Sequence, residues 1–161
     1  MKKVLRSAAA IVAALAALLL IGGQVGLFSG TRPDNLGVTD GRLAPSKRTP
    51  NCVSSQADRA TDPGHYIEPL RFSGSPASGR AALKAALKDM ERVKIVNEAP
   101  NYLYAEFSSR LMGYVDDVEF YVDENAGVIH VRSASRLGIR DFGVNRERIE
   151  TIRRRFNAAL A

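Results

Sequence analysis

Lys2, Lys3 and Arg6 stand in front of an apolar run from Ala8 to Gly23, which resumes after Gln24 with Val25, Gly26, Leu27 and Phe28. A charge-free stretch of this length constrains the rest of the chain, because it is too apolar to face water and long enough to leave it. Ser7 to Phe28 is 22 residues, and at about 1.5 Å per residue a helix over it spans the ~30 Å hydrocarbon layer. Basic residues ahead of the run hold the amino terminus in the cytoplasm, so everything after Phe28 is expected outside it, on the periplasmic side of the inner membrane in a Gram-negative cell. Three readings share that consequence, the least favoured being a lipoprotein, because Cys52 lies far beyond the apolar run. The other two are an uncleaved anchor and a signal peptide; cleavage after Gly23 would put Ile21, not a small residue, at the −3 position, which favours the anchor.

The remainder has the composition of a globular chain, with 45% apolar and 25% charged residues overall, enough for one core. Setting aside Lys2, Lys3 and Arg6 leaves 20 of the 23 basic residues against 17 acidic ones, so the formal charge of +6 falls to +3. That excess is too small to point to nucleic acid. A single cysteine, Cys52, excludes an intrachain disulfide framework and a cysteine zinc cage. No cofactor motif is present.

From Ser29 to about Gly64 the chain is broken by Pro33, Gly37, Gly41, Pro45, Pro50 and Pro63. It reads as a tether that becomes an extended arm without lasting regular structure. The domain proper is expected over residues 65–161. His65–Phe72 predicts an edge strand, since Pro69 lacks an N–H. In "RAALKAALKDMERV", Ala82, Leu83, Ala86, Leu87 and Met90 recur at helical spacing, with Ser78 as the expected N-cap. Val93–Asn97, "NYLYAEFSS", "VDDVEFYV" and "GVIHVRSAS" alternate apolar and polar residues as half-buried strands do. Ile149, Ile152, Phe156 and Leu160 stripe a closing helix, with Asn145 as its expected cap.

Strand, helix, four strands, helix is an α+β order. It predicts an antiparallel meander with both helices on its apolar face, by analogy with helix-grip or TATA-binding-protein-like topologies.

Register follows from matching apolar residues across each hairpin. A four-residue turn at Glu124–Gly127 sets Val122 opposite Ile129 and Phe120 opposite Val131, hence Glu119 opposite Arg132 and Tyr121 opposite His130. A turn at Leu111–Tyr114 sets Phe107 opposite Val118 and Ala105 opposite Phe120, hence Glu106 opposite Glu119. Opposed carboxylates repel unless a cation joins them, and Arg132 is the expected cation. The polar face then carries Tyr102, Tyr104, Glu106, Asp117, Glu119, Tyr121, His130 and Arg132. Such a face is either a solvated sheet surface with ordinary ion pairs or a ligand-binding surface. A metal held by Glu106, Glu119 and His130 is a weaker reading, because the spacing matches no ligand motif.

Two further stretches concentrate reactive groups. "PNCVSSQ" holds Cys52, the one candidate nucleophile, which needs an imidazole from His65 or His130 within reach to act as one. Otherwise it is a small buried residue pinning the arm, or it serves an intermolecular or redox role. "SRLGIRDFGVNRER" places Arg136, Arg140, Asp141, Arg146 and Arg148 before or within the first turn of the last helix, where either Asp141 and Arg136 fix the loop and Asn145 caps the helix, or the arginines hold an anion.

Taken together, "PNCVSSQ", "YLYAEFSSRLMGYVDDVEF" and "VRSASRLGIRDFGVNRERIE" resemble the motifs of a bacterial and plastid domain-of-unknown-function family, catalogued as number 1499. The likeness runs from about Leu43 to Phe156. It implies no activity or catalytic residue, but it implies that "PNCVSSQ" belongs to the domain and packs on the sheet.

The expected protein is a membrane-tethered extracytoplasmic domain, noncatalytic, binding a small anionic or amphipathic ligand or an envelope protein. The expected binding residues are Tyr104, Glu106, Asp117, Glu119, His130, Arg132, Arg136, Asp141 and Arg146. The alternatives are a hydrolase or transferase using Cys52 or the Glu106, Glu119 and Arg132 cluster, and a structural envelope protein.

Overall fold

A computed structural model describes residues 1–161. The apolar run forms helix α1, Lys2–Gln24, which is long and apolar enough to cross a membrane and buries almost none of its surface against the rest of the chain. It ends because Gly26 adopts φ +85, the left-handed conformation that lets Leu27 N–H return to Gly22 O at 2.9 Å.

The arm holds more regular structure than its prolines predicted. Val38–Thr39 (β1) and Arg42–Leu43 (β2) form a small hairpin, and Cys52–Ser54 (β3) joins the main sheet. Leu70–Arg71 (β4) follows, then helix α2 (Pro76–Lys88), strands β5 (Val93–Ala99), β6 (Tyr102–Ser108), β7 (Val115–Asp123) and β8 (Val128–Ser135), and helix α3 (Val144–Leu160). This is the expected α+β order. The sheet runs β3-β8-β7-β6-β5, all antiparallel, with β4 pairing the same edge of β8 further along.

The predicted strand at 65–72 shrinks to Leu70–Arg71 and a parallel bridge between Ser54 and Tyr66. Pro69 cannot donate a ladder hydrogen bond, which leaves only a short edge segment. The first-helix cap also moves. Ser75, not Ser78, is the N-cap: its Oγ accepts from Ser78 N–H at 3.2 Å, with Pro76 at the first helical position. At α3 the orphan amides are served by Asp141, whose carboxylate accepts from Gly143 and Asn145 N–H at 3.1 and 2.9 Å; Asn145 is freed for a buried role.

The β7–β8 register is as predicted, with Glu119 opposite Arg132 and Phe120 opposite Val131. The β6–β7 register is shifted by two residues from the prediction. Ala105 opposes Val118, Leu103 opposes Phe120, and Glu106 opposes Asp117 instead of Glu119. A shift of two leaves each side chain on its face and still pairs apolar with apolar, so alternation cannot distinguish the registers. The longer turn Ser109–Tyr114 decides it: Tyr114 N–H donates to Ser109 Oγ at 3.0 Å, and Gly113 sits at φ +63.

On one face of the sheet, α2 and α3 bury Leu83, Leu87, Ile149, Ile152 and Phe156 against Phe107, Val118, Phe120, Ile129 and Val131. Burying a side chain of this kind contributes roughly 1.5–3 kcal/mol. The other face is polar, and the arm covers it.

Candidate functional site

The polar face is built by alternate residues of β6, β7 and β8, with Cys52 and Ser54 of β3 opposite Ala134 and Arg132. It is a closed charge network, not the open surface the sequence suggested: Asp117, Glu119 and Arg132 are all buried. Buried charges persist only when paired and hydrogen-bonded, and three carboxylates here meet three guanidinium groups.

Arg136, just after β8, sits between the opposed Glu106 and Asp117. Its Nη2 donates to Glu106 Oε1 at 2.5 Å and to Asp117 Oδ1 at 2.8 Å, while its Nε reaches Asp117 Oδ2 at 3.1 Å. Like-charge opposition is thus relieved as expected, but by Arg136 and for a different carboxylate pair. The Tyr104 hydroxyl lies 2.5 Å from Asp117 Oδ1 and 3.0 Å from Glu106 Oε1. From the arm, Arg32 donates to Glu106 Oε1 at 2.6 Å and stacks over the Tyr104 ring.

Burial pushes the Glu106 carboxyl up, but hydrogen bonds from Arg32, Arg136 and Tyr104 outweigh it and hold the group down at about 2. Burial, reinforced by Asp117, raises Tyr104; burial, reinforced by Glu119, raises Tyr102. Both phenols stay protonated donors.

Glu119 anchors the second half. Tyr102 hydroxyl and Gly37 N–H donate to its Oε1 at 2.8 and 2.7 Å, and Arg132 Nη1 donates to its Oε2 at 3.1 Å. Arg132 is incompletely satisfied: its buried Nε has no acceptor. Ser54, opposite Arg132, lines an open cleft of about 650 Å³ within the arm, together with Arg42, Ser46, Gln56 and Asp62. A second cleft of about 560 Å³ lies at Arg32, Leu36, Asn97, Tyr102 and Tyr104, and Gly37 borders both.

The structure therefore brings together Tyr104, Glu106, Asp117, Glu119, Arg132 and Arg136. It sets the other three expected residues apart. His130 lies toward the β7–β8 turn, its Nδ1 3.1 Å from Ser55 Oγ and its ring stacked on Tyr121. Asp141 caps α3, and Arg146 donates to Gly64 O at 2.9 Å. Glu106, Glu119 and His130 do not form a metal-binding group.

Cys52 is buried, and its Sγ accepts the Lys47 N–H at 3.2 Å. Burial pushes the thiol pKa up against the weaker pull of the Lys47 amide and Arg132, which disfavours the reactive thiolate. Both imidazoles are engaged elsewhere: His65 with Asp62 at 2.6 Å and Thr49 O at 3.1 Å, His130 with Ser55.

Several contacts of the network escaped the sequence. Arg32 sits in an arm with no periodicity to place it. Asn145 is a buried hub whose Nδ2 donates to Asn51 O and Ser135 Oγ at 3.0 and 2.9 Å, tying "PNCVSSQ" to β8 and α3. The density of Asn, Ser and Asp around it was the only available signal.

Fold and site together define an α+β domain with a charged sheet face covered by its own N-terminal arm, behind an apolar helix. The family described as "protein of unknown function (DUF1499)" matches residues 42–156, and the chain belongs to that family. No curated protein and no solved structure matches the chain.

Proposed function

We propose that this protein is a membrane-tethered, extracytoplasmic binding module that takes a small anionic or amphipathic ligand in the cleft of the arm that Ser54 lines, beside the polar sheet face. The observation that carries this reading is Arg132: a buried cation with an unused Nε donor, paired across strands with Ser54, which lines the cleft. An unsatisfied buried donor costs about 1–3 kcal/mol, and in this reading a ligand acceptor entering beside Arg42 reaches it past Ser54. A noncatalytic role is supported by the same geometry. Glu106 is held ionised, the phenols are held protonated, and Cys52 has no base beside it.

Calorimetric titration of the full chain in detergent with inorganic phosphate, and separately with hexanoate, tests the reading against empty micelles. One of the two anions is expected to bind, and Arg42→Ala at the exposed rim and Arg132→Lys opposite Ser54 are each expected to weaken that binding. Absence of binding by both anions, or binding indifferent to both substitutions, overturns it.

A further inference from the structure

The end of the domain nearest α1 carries apolar side chains with nothing in the chain to cover them. Because β6, β7 and β8 alternate in direction, the β6–β7 turn (109–114) and the segment after β8 (136–143) emerge at the same end of the sheet. The carboxyl end of α1 is fastened to that end. Gln24 Nε2 donates to Arg110 O at 3.2 Å, and Phe28 packs on Tyr114 with ring centroids 5.8 Å apart. Gly23 and Gly113 touch backbone to backbone: a Cβ on Gly113 would fall 2.2 Å from Gly23 O. The two loops are therefore held at the level where α1 stops.

Both loops present large apolar groups to solvent. Phe142 is 97% exposed, Ile139 69% and Leu111 63%, with Leu137 also exposed. Phe142 holds φ +55, a conformation rarely adopted by a bulky residue, and gains no intrachain packing from it. Arg110 and Arg140 flank these residues and are exposed. Leu137, Arg140 and Phe142 share one hollow with Phe28 and Tyr114, and exposed apolar groups gathered beside positive charge mark an interaction surface.

We propose that this end of the domain docks on the bilayer that α1 enters, with Phe142, Ile139 and Leu111 inserted at the level of the headgroups and Arg110 and Arg140 on anionic lipid. The inference rests on the anchored reading of α1. Its occupant follows from continuity: a surface clamped by a glycine contact to the end of a spanning helix lies at the membrane–water boundary, where aromatic side chains are favoured and arginines can bond lipid phosphates. The docked domain stands end-on to the membrane, with the β7–β8 turn pointing away.

The sequence contains no tryptophan, so single tryptophans report each position. The full chain carrying Phe142→Trp, Ile139→Trp, Asn125→Trp at the distal turn, or Leu19→Trp within α1 is reconstituted in phosphatidylcholine and phosphatidylglycerol vesicles, with and without acyl-chain-brominated lipid. Docking predicts blue-shifted emission and strong quenching for Phe142→Trp and Ile139→Trp, approaching Leu19→Trp, with Asn125→Trp unquenched. Quenching of Leu19→Trp alone overturns docking and leaves the anchor standing. Blue-shifted emission at 142 and 139 without quenching means that protein, such as a second copy, covers the patch, and overturns docking too. An unquenched Leu19→Trp removes the anchor and this inference with it.

Discussion

Glu106 shows how one carboxylate can link the arm to the sheet. Its pKa is depressed to about 2 in the folded chain, against an unfolded value of about 4.3. The unfolded state therefore binds more protons between those values, so the stabilisation from Glu106 is fully present above the unfolded pKa and is lost as pH falls from there toward 2. Urea unfolding of the full chain across that acid range is expected to show this loss, and Glu106→Gln is expected to flatten the profile while lowering stability at neutral pH. A profile unchanged by the substitution would mean that the Arg32 and Arg136 bonds add nothing. At this scale the sequence identified the right residue types and faces but not every partner. Glu106, Glu119 and Arg132 were recognisable as a charged group on one face, whereas Arg136 between Glu106 and Asp117, and Arg32 above them, depend on loops whose paths no periodicity encodes.

Elements were more legible than their ends. Helices α2 and α3 and strands β6 to β8 follow from spacing alone, because burying one face imposes a period of 3.6 or 2. Caps and registers depend on local competition that the pattern does not resolve. Ser75 outcompetes Ser78 because Pro76 belongs at the first helical position. Ser75→Ala is accordingly expected to lower stability by about 1 kcal/mol, with Ser78→Ala costing less, as measured by the midpoint of urea unfolding; equal losses would argue against Ser75 as the cap. The two-residue shift of the β6–β7 register has the same origin, since alternation has a period of 2 and accepts any even displacement.

At the scale of the whole molecule, the helix α1, the arm and the sheet form one connected unit. The anchored reading predicts that protein extracted from membranes retains its amino-terminal residues by mass. It also predicts that a protease added outside right-side-out cells or spheroplasts removes the carboxyl terminus; a mass beginning after Gly23, or a protected carboxyl terminus, contradicts it.

The sequence by itself determined the apolar segment with its flanking charges, the α+β order, the two faces of the sheet and the family motifs, because each is a local pattern or a composition. Only the tertiary structure decided that the arm lies over the polar face, that Arg136 separates Glu106 from Asp117, and that Ser109–Tyr114 meets the end of α1 with Arg136 and Leu137 packed beside Gly30. Those arrangements join residues as far apart as Arg32 and Glu106, or Gln24 and Arg110. Such contacts are fixed by chain reversal and by the need to neutralise buried charge, and neither leaves a period in the sequence.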